Sequence, residues 1–404
     1  MRILTLFLLL MMLTPANAQE SMTAAYVDSV TYQAYMIGDW DRVLETGKRA
    51  LKSGIDFKFL QQRMGYAYYL KSDYYASMRH YEKALKDDPS DQTSILYLYY
   101  AGLESGNASY ARYYAGKLSA AQKKNNHLKA VHLVSALDFE YNDQWNNEPT
   151  RSNPQFERIG LGTDLGYSLH VYQTFSEFNQ NSSYADTENE YRSTIFQDEY
   201  YLLVSKSLTP NFGIDIGYHG LKTVINTDVW DLTLHELTET YAPVTYNGKL
   251  FFGDLHYKWN RLHLGISAST LNLEYNHVLQ SGAHLGLALP GKNKLFFRNS
   301  VYLMNDDNDQ WLVSKHSIGM LFFKKFWLEL SKTFGDLKNF VDLNGMYVYN
   351  SFDPTLSKAG LSLFWYPNTH LTLFSNFSLE TKQNSYLLNN YKQNSLTGGI
   401  AWKF

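Results

Sequence analysis

The stretch FGIDIGYH, residues 212–219, sets Phe212, Ile214, Ile216 and Tyr218 on one side of an extended chain and Gly213, Asp215, Gly217 and His219 on the other. Successive side chains of a strand point to opposite faces, so these residues read as a strand with one apolar face and one polar or small face. The same period recurs downstream. Phe251, Leu255 and Tyr257 alternate with Phe252, Asp254, His256 and Lys258; Leu262, Leu264 and Ile266 alternate with His263, Gly265 and Ser267; Leu285, Leu287 and Leu289 alternate with His284, Gly286 and Ala288. It holds from Leu133 to the C-terminus. A soluble sandwich turns the apolar face inward and a membrane barrel turns it outward, and alternation alone fits both.

Three further features select the barrel. Tight turns (Leu165 to Tyr167, Thr209 to Asn211, Trp259 to Arg261, Pro290 to Lys294, Pro367 to Thr369) alternate with longer polar connections (Asn146 to Pro154, Asn179 to Tyr191, Gly220 to Ala242, Asp306 to Gln310, Thr381 to Gln393), the asymmetry of an outer-membrane barrel. Aromatic pairs stand beside the turns, as in Tyr257 with Trp259, Phe326 with Trp327 and Trp365 with Tyr366, where interfacial girdles belong. The chain ends on Leu396, Gly398, Ile400, Trp402 and Phe404 in alternation. A strand closed by a terminal Phe resembles the C-terminal assembly signal of outer-membrane proteins, with Trp402 and Phe404 as its residues, and implies the barrel assembly machinery and outer-membrane lipid as partners. About fifteen strand-like segments lie between Leu133 and Phe404, whereas termini on one side of the membrane require an even number. One segment is therefore surplus, and it lies within Phe326 to Tyr366; the expectation is 14 strands, with 12 as the alternative.

The rest of the composition agrees. Of 404 residues 45% are hydrophobic, with 33 Tyr and 23 Phe against only 9 Pro, a balance that favours strands. Lys plus Arg number 36 and Asp plus Glu 39, which lacks the basic excess a nucleic-acid partner requires. There is no cysteine, so disulfides and thiolate chemistry are excluded. A mean hydropathy of -0.36 excludes a polytopic helical membrane protein but not a barrel. Arg2, the apolar run Ile3 to Leu13 and the small-x-small site Ala16-Asn17-Ala18 read as a secretory signal peptide. Three domains are expected: a signal peptide over 1–18, a periplasmic helical domain over 19–130 and the barrel over 131–404.

Residues 19–130 carry apolar positions at helical spacing. Met64, Gly65, Tyr68, Ser77, Tyr81, Ala84 and Pro89 fall on the conserved positions of the 34-residue tetratricopeptide pattern, which this segment resembles. A step of 34 residues back sets Gly38 under Ser72 and Ala50 under Ala84; a step forward sets Gly106 under Ser72 and Ala111 under Ser77. Three repeats follow, about the minimum for a continuous solenoid core. In this register Tyr32, Tyr66 and Tyr100 share one first-helix position, and Tyr35 and Tyr69 share another. The resemblance implies that these positions line a concave groove, suited to a periplasmic protein or polysaccharide; padding between helices is the competing explanation.

Catalytic motifs fail on inspection. His235-Glu236 lacks the second His of a zinc-protease helix, Glu239 standing in its place, and Gly160, Gly162 and Gly166 precede no helix. Asp306, Asp307 and Asp309 read as a solvated loop. No cofactor or metal is expected. Charges facing lipid cost up to a few kcal/mol near the midplane, so Asp215, His219, Asp254, His256 and His263, and from later strands Glu329, Asp342 and Asn344, are expected in the lumen.

A signal peptide, a short tetratricopeptide module and a C-terminal barrel resemble the YaiO-like outer-membrane proteins, and more loosely the exporters of poly-N-acetylglucosamine and cellulose and the surface-lipoprotein translocators. That resemblance implies translocation or envelope assembly. Three functions remain in competition: a barrel that passes a polymer or polypeptide from the helical groove to its lumen, a non-conducting scaffold that recruits a periplasmic partner, and a barrel enzyme.

Overall fold

The computed structural model describes residues 22–274, 276–289, 294–306, 309–323, 325–351 and 353–404; the expected signal peptide lies outside them. Seven helices come first among the described residues: α1 (Ala24–Met36), α2 (Trp40–Lys52), α3 (Lys58–Leu70), α4 (Tyr74–Asp87), α5 (Gln92–Glu104), α6 (Ala108–Lys117) and α7 (Ala120–Asn125). Their starts keep a fixed interval, 24, 58 and 92 for one series and 40, 74 and 108 for the other. The turns repeat with them. Gly38, Ser72 and Gly106 have φ of 75°, 60° and 75°, and the side chains of Asp39, Asp73 and Asn107 cap α2, α4 and α6 by accepting from Arg42, Ala76 and Tyr110 N–H. Each cap satisfies one of the free N–H groups at a helix start. No helix among the described residues is long and apolar enough to cross a membrane.

Packing divides the chain between Tyr97 and Leu98, inside α5, into two compact units. In the first, Val27, Ala34, Val43, Leu44, Ala50, Leu60, Met64 and Ala67 form the core. Small residues permit the close helix contacts: a Cβ added to Gly65 would stand 2.8 Å from the Tyr81 ring.

The second unit is built on strands β1 (Val131–Asn146), β2 (Gln155–Leu165), β3 (Leu169–Ala185), β4 (Asn189–Ser207), β5 (Phe212–Asp231), β6 (Glu236–Thr240), β7 (Val244–Trp259), β8 (Leu262–Leu273), β9 (Asn276–Ala288), β10 (Phe296–Asn305), β11 (Gln310–Phe322), β12 (Phe326–Phe334), β13 (Val341–Asp342), β14 (Tyr347–Val348), β15 (Thr355–Trp365), β16 (Leu371–Gln383) and β17 (Asn390–Lys403). Every wall strand pairs antiparallel with both neighbours. The β1–β17 ladder, Ala136↔Lys403 to Asn146↔Gln393, and the β4–β5 ladder close the ring. The wall has 14 strands, because β6 only extends the top of β5 and β13–β14 form a separate two-stranded sheet. Closure leaves no unpaired edge, the condition for strands in lipid.

The exterior is the apolar face. Ile216 is 58% and Ile266 60% exposed, whereas Asp215 is 8% and Asp254 5% exposed. Leu396, Ile400, Trp402 and Phe404 share this outer face, and the Phe404 N–H donates to the Ser135 carbonyl at 3.0 Å.

Three sequence expectations need correction. Residues 179–191 and 220–242 are not loops for most of their length: β3, β4 and β5 run on for 17, 19 and 20 residues, about twice the ten or so that a tilted strand needs to cross. Their Thr, Tyr and Val content sustains pairing beyond the apolar band, and polarity there marks solvent rather than a loop. Trp327 is not in a girdle. It points inward and donates from Nε1 to Glu329 at 3.3 Å, while Phe326 alone lies outside, stacked on Trp365 at 6.0 Å. Finally, the surplus segment of the strand count lies between β12 and β15: its described residues 335–351, 353 and 354 leave the wall after β12 and fold into the lumen.

Candidate functional site

Residues 335–351, with 353 and 354, form a plug. Gly335, at φ 108°, turns the chain inward, and a Cβ there would meet the Leu312 carbonyl oxygen at 2.4 Å. Val341 pairs with Val348 and Asp342 with Tyr347 in a small hairpin. Its tip, Leu343–Gly345, holds three successive positive φ values of 48°, 59° and 88°, a backbone that side-chain-bearing residues adopt only under constraint.

The constraint comes from the wall. Leu337, Phe340 and Val341 pack against inward-facing Leu221, Leu250, Leu271, Val278, Met304 and Val313. Where the plug seats, one arc of the lumen from β5 to β11 is thus apolar, which the alternation did not reveal. Polar contacts fix the register. The Gln280 amide reads the Val341 backbone twice, accepting from its N–H at 2.9 Å and donating to its carbonyl at 2.8 Å. Lys315 donates to Asp342 at 2.6 Å, Tyr347 to Glu140 at 2.6 Å, and Asn350 to Gln197 at 2.8 Å. At the tip, Tyr201 donates to the Asn344 carbonyl at 2.7 Å, and the His219 ring bridges the Gly345 carbonyl (Nδ1, 2.9 Å) and Glu199 (Nε2, 3.2 Å). At the loop end, Arg151 grips Asp353 with Nε at 2.9 Å and Nη2 at 3.1 Å.

Beside the plug lies a cavity of about 1330 Å3, larger than the ~300–1,000 Å3 of an ordinary small-molecule pocket. It reaches from Asp306 and Ser385 at the loop end to Phe364 and Phe374, close to the turn between β15 and β16. Its lining mixes aromatic rings, among them Phe156, Tyr246 and Tyr349, with charges of both signs. Several of these charges are paired, as in Arg158 with Glu140 at 2.7 Å and Lys358 with Glu380 at 2.7 Å.

The sequence-predicted lumen residues fall into three places. Asp342 and Asn344 belong to the plug, not to a wall strand as expected. His219 and Glu329 face inward from β5 and β12. Asp215 and Asp254 stand directly opposite on β5 and β7, with His256 close enough that one ligand atom from each of the three lies within 4.8 Å of the others. His263 faces Phe296 at 5.4 Å. Sequence reasoning passed over His284, whose Nε2 is 3.6 Å from Asp254 Oδ2; its place opposite Gly265 on the polar face was the available signal. At the Glu199–His219 pair, Ser176 donates to the carboxylate at 3.2 Å rather than to the imidazole, so no Ser–His arrangement forms there.

In the helical unit, Tyr66 contacts Tyr35, Trp40 and Tyr97 at centroid distances of 5.4, 5.4 and 5.3 Å. Tyr69 also meets Tyr97, at 5.6 Å. Tyr32 is 51% exposed, with the Arg63 guanidinium 5.3 Å over its ring. Tyr100, in the second unit, donates to Asn126. Trp40 and Tyr97 were missed because they lie outside the first-helix positions that define the groove. His80, stacked on Tyr68 at 5.2 Å and bonded through Nδ1 to Gln61 at 2.6 Å, has its pKa lowered to about 4, first by burial and then by Lys83 and Arg79.

No protein-family profile matches the chain, and no curated protein matches it. Solved structures similar in fold are barrels. The Pseudomonas putida toluene transporter TodX has a TM-score of 0.45 at 8% identity, covering 67% of this chain and 89% of that one. A Pseudomonas aeruginosa FadL homologue has a TM-score of 0.39 at 9% identity, covering 74% and 94%. The KdgM porin in complex with disordered oligogalacturonate has a TM-score of 0.31 at 12% identity, covering 54% and 99%.

Proposed function

We propose that the chain is a YaiO-like outer-membrane barrel that translocates a polar polymer or polypeptide, with its tetratricopeptide-like helices in the periplasm delivering cargo through a tyrosine-lined groove. The observation that carries this reading is the elongated cavity beside the plug. Its aromatic faces offer stacking to a chain that slides, and its paired charges leave no strong bias of sign to trap an ion. The 34-residue interval of helix starts, turns and caps supports a repeat module, and the outward apolar face of a closed wall supports residence in lipid.

One observation favours the scaffold instead: the plug is clamped on every side, by apolar contacts along one arc and by buried hydrogen bonds elsewhere. Reconstitution of the full chain in planar bilayers separates the two. Translocation predicts small, discrete conductance in the unmodified protein and a much larger pore when residues 338–350 are replaced by a short linker. Silence of the unmodified protein, with conductance only after plug removal, would favour the scaffold. Silence of both, with correct insertion, would overturn a lumenal passage.

A further inference from the structure

Toward the turn end of the lumen from the plug tip, β5, β7 and β9 bring two carboxylates and two imidazoles together. His256 Nδ1 lies 3.2 Å from Asp254 Oδ1 and 3.9 Å from Asp215 Oδ2, and His284 Nε2 lies 3.6 Å from Asp254 Oδ2. Four donors held tetrahedrally at the ~2.1 Å of zinc–nitrogen and zinc–oxygen bonds stand about 3.4 Å apart. The observed separations bracket that value; one ligand atom from each of Asp215, Asp254 and His256 lies within 4.8 Å of the other two, and His284 reaches the second Asp254 oxygen.

Two independent features point to a ligand. The Asp254 side chain is 4% exposed, and its Oδ2 has no hydrogen-bond partner among the described residues. A buried carboxylate oxygen left without a donor is costly, and this one is directed at His284. The backbone is also cut away under both rings. A Cβ on Gly213 would stand 2.3 Å from His256 Nε2, and a Cβ on Gly265 would stand 1.9 Å from His284 Nε2. Glycine on the neighbouring strand is what lets each imidazole lie across the sheet toward the carboxylates. From the plug, Asn344 Nδ2 donates to Asp215 Oδ2 at 3.1 Å and orients that carboxylate.

We propose that Asp215, Asp254 and His256, with His284 as fourth donor, bind a divalent transition-metal ion of the zinc type in the lumen. Two imidazole nitrogens with two carboxylates suit zinc or cobalt(II) and disfavour calcium and magnesium, which take oxygen donors. The site stands whether the lumen conducts or is closed.

The test uses the full chain without a polyhistidine tag, folded in detergent, stripped with chelator and titrated with zinc against a fluorescent competitor. One equivalent of saturable binding is expected, and cobalt(II) is expected to give the visible absorption of a tetrahedral site. Asp254→Asn is expected to weaken zinc at least about tenfold, and Gly265→Ala, which retains every donor but displaces His284, to weaken it as well. Heat-modifiable migration reports whether each variant is folded; if Asp254→Asn does not fold, His256→Gln and His284→Gln replace it. Absence of saturable zinc binding, or binding unchanged in the folded variants, overturns the site.

Discussion

Replacing Asp353 with alanine tests whether the plug is held by its loop-end clamp. Each oxygen of this carboxylate accepts two bonds: Oδ2 from Arg151 Nε at 2.9 Å and Tyr391 at 2.8 Å, Oδ1 from Arg151 Nη2 at 3.1 Å and the Ser385 N–H at 3.0 Å. The side chains of Arg151 and Asp353 are 1% and 3% exposed, so Asp353→Ala leaves a guanidinium buried without its counter-charge. Removing one partner of such a pair costs about 3–5 kcal/mol. Replacing the whole group by apolar residues, as in Arg151→Met, Asp353→Leu and Tyr391→Phe together, removes the orphaned charge and hydroxyl. The remaining losses are the Ser385 N–H, about 1–3 kcal/mol, and the weaker Arg151 Nη1 contacts to Thr150 and Ser183. The order of stability is therefore expected to be native, then triple variant, then Asp353→Ala. Urea unfolding in lipid vesicles, followed by tryptophan fluorescence, measures it. A loss under about 1 kcal/mol for Asp353→Ala, or a triple variant no better than the single one, would refute the argument that this end of the plug is held by a desolvated ion pair.

Three further outcomes are expected. The folded pKa of His80, near 4, lies below the unfolded value near 6.5, so the stabilisation is complete above pH 6.5 and is lost as pH falls toward 4, up to about 3 kcal/mol; helical melting followed by circular dichroism will show this slope, and His80→Gln will flatten it. Deleting Phe404 removes one backbone bond and an exposed ring, so refolding in detergent is expected to change by no more than about 1.5 kcal/mol, while assembly in cells falls sharply if Phe404 is read by the assembly machinery; equal effects in both settings would remove the signal role. Tyr66→Ala, which strips contacts to three rings, is expected to lower the melting of the helical unit by about 2–4 kcal/mol, whereas Tyr32→Ala is expected to leave it within about 1 kcal/mol; the same melting assay checks both.

What was legible in the sequence follows from which signals are periodic. Alternation at 212–219 put Asp215 and His219 on the face that the structure turns inward, because one face there is wholly apolar and the other is not. At Leu250-Phe251-Phe252 both faces are apolar: the register carried back from Asp254 and His256 sets Phe252 opposite the outward Phe251, but nothing in it shows that the inward face has itself turned apolar at Leu250. The apolar arc of the lumen is built from such positions, so the surface that seats the plug was invisible. The helix starts were legible for the opposite reason: Gly38, Ser72 and Gly106 with their capping Asp39, Asp73 and Asn107 are local signals that need no partner to be read. Parity exposed a surplus segment between Phe326 and Tyr366, but nothing local distinguishes a strand in the wall from a hairpin inside it, since both have a period of two.

The division of the lumen into an apolar and a polar arc also explains how the plug is held. Leu337, Phe340 and Val341 commit the plug to the β5–β11 side, since burying them together with Leu250 and Leu271 removes apolar surface from a wet lumen. The opposite arc, from β15 through β17 to β2, carries Lys358, Glu380, Lys382, Glu140 and Arg158 and offers the plug a mainly polar surface, with Phe156 against the Tyr347 ring at 6.0 Å. It reaches the plug through side-chain bridges such as Lys382 to Ser351 at 3.1 Å and Tyr347 to Glu140, and through the Leu337 N–H donating to the Thr355 carbonyl at 2.7 Å. The cavity is lined by these charged groups and reaches round to Leu221, Tyr246 and Leu273 on the apolar side. A perturbation that cuts the bridges and spares the apolar seat widens this passage without expelling the plug, whereas one that places charge at Leu250 or Leu271 unseats the plug and opens the whole lumen. The size of the conductance step distinguishes the two.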